Sequence, residues 1–231
     1  MINKDTHLKR ILEALDELVL LQDRTKAPNP IAHQYIGTIV DNTIGLLTAP
    51  ANSLVKGSRN VTFSDDKNWV SLMQAVHRSF LSSLHTAVEI SFERILEDQK
   101  IKAENKQQKK YKEKLKTFKS INEKLEAFIT KIIEGIPLNF RDKLDAVLEL
   151  TSLNKKEKGT WRKFFIGMTI LRNKVSHSNS TLTQQEQEDL KQGGLKALVL
   201  KNGNLQVNPR MYKQFAEFSL NFFDLVYSSI E

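Results

Sequence analysis

Leu8, Ile11, Leu12, Leu15, Leu18 and Val19 recur at the i, i+3, i+4, i+7 spacing that gives an α-helix one apolar stripe. The spacing predicts a helix over residues 5–23 that needs a packing partner. Ala27-Pro28-Asn29-Pro30 ends it, because proline removes a backbone donor and biases the residue before it out of the α region. A second stripe of Ile36, Ile39, Val40, Ile44 and Leu47 predicts a helix after Pro30, interrupted at Ala49-Pro50 and followed by a loop at Lys56-Gly57-Ser58-Arg59-Asn60. Ser64-Asp65-Asp66 reads as a strong helix start, since a short oxygen side chain caps free amides and the acids complement the positive end of the helix dipole. Behind it, Trp69, Leu72, Met73, Val76, Phe80, Leu84, Ala87, Val88, Ser91, Ile95 and Leu96 form a face wide enough for a central helix packed on more than one side.

Between residues 98 and 124 the apolar spacing thins to Tyr111, Leu115 and Phe118 while ten lysines appear. This stretch is expected to stay helical, projecting from the body or turning near Gln107-Gln108, either as a solvated extension or as an RNA-contacting arm. Phe128, Ile129, Ile132 and Ile133 predict the buried face of the next helix, which Gly135-Ile136-Pro137 ends, and a short helix is expected over residues 141–150. Asn154 is placed to cap a helix carrying Trp161, Phe164, Phe165, Met168, Leu171 and Val175 on its core face. Thr183 with Glu186 is a capping box for a further short helix that Gly193-Gly194 terminates. The period then changes: apolar runs flank Lys201-Asn202-Gly203-Asn204, and Asn-Gly suits the positive φ angles of a tight turn, which predicts a small β-hairpin. Asn208-Pro209 opens a last helix with an aromatic stripe of Tyr212, Phe215, Phe218 and Phe222, continued by Leu225 and Val226. The expected architecture is all-α, with residues 1–60 as an N-terminal helical extension packed on the core. Residues 61–231 are expected to form a helical domain carrying the lysine-rich extension at 98–124 and the hairpin near the C-terminus.

Composition adds constraints. A chain of 231 residues can bury a full-sized core, and 40% hydrophobic content with a mean hydropathy of -0.40 is ordinary for a folded protein. The absence of cysteine removes disulfides, thiolate ligands and a cysteine nucleophile, and fits a reducing compartment, so a cytoplasmic location is expected. The N-terminus mixes charged with apolar residues and offers no signal-peptide core, and no apolar run is long enough to span a bilayer; no membrane insertion is expected. A formal charge of +8 and a pI near 9.5 favour an anionic partner, nucleic acid ahead of an acidic membrane surface, against the plainer reading of charge for solubility.

Motif chemistry is mostly excluded. The chain has five histidines but no HExxH and no DxDxDG run, and its glycines form neither GxGxxG nor GxxxxGK[ST] nor GxSxG, so no metal and no cofactor is expected. His85 and Glu89 have helical i+4 spacing and read as a polar contact. The one dense polar constellation is Leu171-Arg172-Asn173-Lys174-Val175-Ser176-His177-Ser178-Asn179-Ser180, at the end of the predicted core helix. Leu171 and Val175 hold one face in the core, Asn173 and His177 share another four residues apart, and the long Arg172 side chain can reach the same cleft. An imidazole titrating near neutrality can take or give a proton, a guanidinium can hold two phosphate oxygens, and an amide can orient either group. Cleavage of an RNA phosphodiester without metal needs those groups. Arg78 and His85 also satisfy an R-x(6)-H spacing, but they lie mid-helix between apolar residues and lack a following asparagine.

Arg172-Asn173-Lys174-Val175-Ser176-His177 resembles the R-x(4 to 6)-H signature of the HEPN superfamily, including its frequent polar residue after the arginine. The resemblance extends over about residues 69–231. It implies a helical bundle and, in many members, a metal-independent endoribonuclease of toxin-antitoxin, abortive-infection or RNA-processing systems that dimerises so that two copies of the motif line one cleft. It would make Arg172 and His177 the catalytic pair and Asn173 the auxiliary polar residue. RNA, a second copy of the chain and an antitoxin or other protein are then the expected partners. A non-catalytic helical module binding RNA or protein on the same scaffold is the alternative. The first sixty residues and the lysine-rich stretch have no counterpart in a minimal HEPN core.

Overall fold

The amphipathic stretches find their partners in a computed structural model that describes residues 4–25, 31–56, 66–101, 104–117, 123–176, 181–195 and 210–230. The elements among them are nine α-helices: α1 (Lys4–Thr25), α2 (Ile31–Lys56), α3 (Asp66–Asp98), α4 (Lys106–Thr117), α5 (Glu123–Glu134), α6 (Phe140–Glu149), α7 (Lys155–Ser176), α8 (Gln184–Gln192) and α9 (Arg210–Ile230). The chain is all-α over these residues. The hairpin expected around Asn202-Gly203 lies outside them.

Several boundaries follow from capping chemistry. The Asn154 side chain accepts from the backbone N–H groups of Lys156 (2.9 Å) and Glu157 (3.0 Å), and Glu157 Oε2 accepts in return from the Asn154 amide at 2.9 Å. Thr183 and Glu186 form the expected capping box at the start of α8, and Asn139 with Asp142 forms another at the start of α6. Gly194, at φ 79°, closes α8 with paired bonds from Leu195 N to Leu190 O (2.8 Å) and from Gly194 N to Lys191 O (3.1 Å), the Schellman arrangement that a left-handed residue permits. Lys100 does the same work for α3 at φ 53°.

The pleat of ridges around α3 organises the rest: α2, α6, α7 and α9 all pack against it, and α1 packs on α2 and α9. One apolar cluster joins them, from Ala14, Leu18 and Leu21 of α1 through Phe80, Leu84, Val88 and Phe92 of α3 to Phe165 of α7 and Phe222 and Phe223 of α9. The N-terminal helices therefore share the core of the rest of the chain. Aromatic rings fill its centre, with Phe165 packed on Phe222 (4.9 Å between ring centres), Phe164 (5.2 Å) and Phe92 (5.6 Å).

Three expectations are corrected. Ala49-Pro50 does not interrupt α2, which runs on to Lys56; proline deletes one donor, and a helix can continue through that loss. The lysine-rich stretch turns directly after α3, at Gln99-Lys100, whereas Gln107 and Gln108 lie inside α4. Gln108 is buried there: its Oε1 accepts from the Asn105 amide at 2.8 Å, and its Nε2 donates to Ile136 O at 2.9 Å, tying α4 to the end of α5. Finally, α5 buries Ile133 but leaves Leu125, Phe128 and Ile132 exposed, because it packs on α4 and reaches no further into the body.

Candidate functional site

Helix α7 carries the motif on its last two turns. Leu171 is fully buried and Val175 packs against the core, so their faces anchor the helix end and leave Arg172 half-buried and Asn173 exposed. Arg172 curls along its own helix and donates from Nη1 to Asn173 Oδ1 at 2.8 Å. The structure thus joins two of the three candidate residues. His177, the third, lies outside the described residues.

No carboxylate among the described residues pairs with Arg172. Its Nε is buried and has no acceptor, which is uncommon, since an unsatisfied buried donor costs roughly 1–3 kcal/mol. Lys174, between the motif's ends, is by contrast fully engaged: its ammonium meets Glu186 at 2.9 Å and the Thr181 carbonyl at 3.1 Å, locking α7 to the start of α8. Burial would raise the Glu186 carboxyl, yet the bonds from Thr183 and Lys174 hold it below its ordinary value.

The neighbour that spacing alone does not reveal is His85 of α3. Its ring is 5% exposed, stacks on Phe140 at 4.3 Å, and places Nε2 3.1 Å from Thr169 Oγ1, one turn before Arg172. The Thr169 hydroxyl already donates to the Phe165 carbonyl at 3.0 Å, so His85 Nε2 is the donor in their contact, and the ring carries its proton there. Burial first and the Arg172 guanidinium second lower the His85 pKa from 6.5 to about 4; Lys143 adds to the effect and Glu89 opposes it. His85 is neutral at physiological pH. Lys143 is itself held by Glu89 (2.7 Å) and Glu93 (2.6 Å), which fixes α6 against α3 beside this point. Ser82 and Ser176 hydroxyls, 3.3 Å apart, close the α3 and α7 contact at its open end. His85 had entered the sequence reading only through its spacings to Glu89 and to Arg78; neither carries information on which residue of α7 it meets.

His77 is a second neutral imidazole, its pKa lowered to about 4 by burial, and its Nδ1 bonds the Tyr212 hydroxyl between α3 and α9. His33, buried on α2, meets Asp224 of α9 at 2.7 Å. Both are internal polar contacts. Among the described residues no cluster of three or more His, Asp or Glu side chains could hold a metal ion, and no helix is long and apolar enough to cross a membrane.

Two clefts lie elsewhere. One of about 530 Å³ is bordered by Asn105, Arg141, Asp145 and Arg162, and one of about 560 Å³ by Glu93, Glu104, Lys112, Glu134 and Lys143; Arg172 and Asn173 border neither. In the second, Lys112 bridges Glu104 at 2.6 Å and Glu134 at 3.2 Å, so it is internally neutralised. On the same helix Lys109, Lys110, Lys114 and Lys116 are exposed, and of these Lys109 and Lys116 act electrostatically on Glu104. Were α4 an RNA-contacting arm, reversing these four would flatten the salt dependence of binding, by roughly 0.7 in logarithmic slope for each lysine that meets a phosphate of a single strand. A fluorescence-anisotropy salt titration with a single-stranded oligoribonucleotide reads this. An unaltered slope would leave α4 as a solvated extension.

Comparison with known proteins yields no matching family model, no matching curated protein and no matching solved structure.

Proposed function

We propose that the chain is a metal-independent endoribonuclease of the HEPN type, a cytoplasmic toxin or phage-defence effector that acts as a homodimer. The observation that carries this reading is Arg172: a half-buried guanidinium with no carboxylate partner among the described residues, steadied by Asn173, with the neutral His85 on the facing helix, at the motif-bearing end of a core helix. A cation left uncompensated by the protein is suited to an external anion, and a phosphodiester offers the two oxygens its fork can engage. In this reading Arg172 holds the scissile phosphate and stabilises charge developing on it, Asn173 aims the guanidinium, and His177 moves the proton of the attacking 2′-hydroxyl or of the leaving 5′-oxygen. The exposed lysines of α4 add affinity for the strand. An antitoxin or other protein partner would control access to the site.

Purified protein incubated with RNA in EDTA is the direct test: cleavage to fragments ending in a 2′,3′-cyclic phosphate supports the reading, and a requirement for a divalent metal removes it. RNA binding without cleavage would instead assign the chain as a non-catalytic RNA-binding module. A symmetric dimer doubles each catalytic group from one short motif, so light scattering at micromolar concentration should return about twice the 26.5 kDa chain mass. A monomer at that concentration counts against the paired-motif arrangement.

A further inference from the structure

We propose that His85 is a positioning residue that keeps Arg172 open to a phosphate: where α3 meets α7 it sets an uncharged ring against Thr169, one turn before Arg172, in a place where a carboxylate would give the guanidinium a counter-charge. The proposal rests on the phosphodiester reading of Arg172 and adds to it a residue outside the motif, on a different helix.

Four observations converge. A buried arginine ordinarily recruits a carboxylate, since an unpaired buried charge is costly. Among the described residues none supplies one to Arg172, whose guanidinium bonds the neutral amide of Asn173. Glu89, which acts on His85 from its own helix, is engaged by Lys143 at 2.7 Å. His85 is also held too firmly to swing away. Phe140 of α6 stacks on one face and Thr169 Oγ1 of α7 accepts a hydrogen bond from Nε2–H, so three helices fix the ring. Its neutrality is enforced from every packed element, by burial, by Arg172 on α7 and by Lys143 on α6, with only Glu89 on its own helix acting the other way. Finally, the buried Nε of Arg172 has no acceptor among the described residues. The junction leaves the Arg172 charge, unpaired among the described residues, to pull on an incoming anion.

The coupling is reciprocal. An anion on Arg172 weakens the repulsion that a protonated His85 would feel, and the pKa of the buried ring rises when the phosphate binds. The shift reads the electrostatic coupling between His85 and Arg172 directly, while the affinities of the variants read its consequence for binding.

The test uses the full-length protein and a 2′-O-methyl oligoribonucleotide, which keeps the phosphodiesters and lacks the attacking hydroxyl. Affinity is measured for wild type, His85→Gln, His85→Glu, Arg172→Gln and the His85→Glu/Arg172→Gln double variant, with melting curves to verify folding. His85→Gln should bind like wild type, whereas His85→Glu should bind at least roughly tenfold more weakly, because its carboxylate pairs with Arg172. In the double variant the two losses should not add, since both act through the same guanidinium. NMR titration of the histidine rings provides an arm that does not depend on folding of the glutamate variant: the His85 pKa should rise in Arg172→Gln and when the oligonucleotide binds wild type. Full additivity of the two losses, or a His85→Glu protein that folds and binds like wild type, overturns the positioning role while leaving the nuclease reading standing. An unmoved His85 pKa in Arg172→Gln overturns it in the same way. Equal binding by wild type and Arg172→Gln removes the phosphate role of Arg172, and both readings fall together.

Discussion

His177→Ala is expected to lower RNA cleavage by about 10²- to 10⁴-fold, the usual contribution of a side chain that transfers a proton in the transition state. RNA affinity should be nearly unchanged, because the substitution leaves Arg172 and the exposed lysines of α4 in place. Arg172→Lys should be severely impaired too, but by a different route: lysine retains the charge while losing the planar fork that holds two phosphate oxygens and the bond to Asn173 Oδ1. Single-turnover rates and separately measured binding constants distinguish the two. A His177→Ala protein that cleaves at the wild-type rate would end the proposed mechanism.

Phe165→Ala is expected to cost about 3–5 kcal/mol of stability, the range for deleting a large ring from a packed core. Phe165 is fully buried where α3, α7 and α9 meet, against Phe92, Phe164 and Phe222, so its removal leaves a hole that three rigid helices cannot close. Such a loss is a large share of the roughly 5–15 kcal/mol that separates folded from unfolded chains. At roughly 2–4 °C per kcal/mol for a chain of this size, the melting temperature should fall by roughly 6–20 °C. Phe218→Ala, on the same aromatic stripe but partly exposed, should lose markedly less. Equal losses for the two would mean that the aromatic stripe does not face the core as described. Because α7 also carries Arg172, Phe165→Ala should reduce activity only in step with the unfolded fraction.

The local signals proved reliable where the physics is local. Asn154, the Thr183 and Glu186 pair, and Gly194 cap or end their helices as their types and spacings foretell, because each bond closes within a few residues of chain. The apolar stripe of α7 likewise put Phe164, Phe165, Met168 and Leu171 inside. Where an element has two faces to offer, periodicity does not say which one finds a neighbour. The stripe of α5 reads as buried, yet Phe128 and Ile132 face outward, since α5 packs on α4 and the body lies beyond its reach. In α1 the buried set is Ala14, Leu18 and Leu21, while Leu12 and Val19 from the same apolar pattern remain partly exposed.

The candidate site divides along the same line. That Arg172 and Asn173 sit on one helix end is written in their adjacency, and a 3.6-residue period carries the inference unaided. That His85, eighty-odd positions earlier in the chain, should set a neutral ring against Thr169, one turn before Arg172, depends on how α3 crosses α7 and on where Phe140 of α6 seals the ring, which is a matter of helix packing across long stretches of chain. The all-α class, the caps and the core stripe of α7 follow from short-range hydrogen bonding and burial periodicity, which are encoded residue by residue. The surroundings that hold His85 uncharged exist only once three helices exclude water together, because desolvation and the Coulomb field at one point sum over groups that the chain itself keeps far apart.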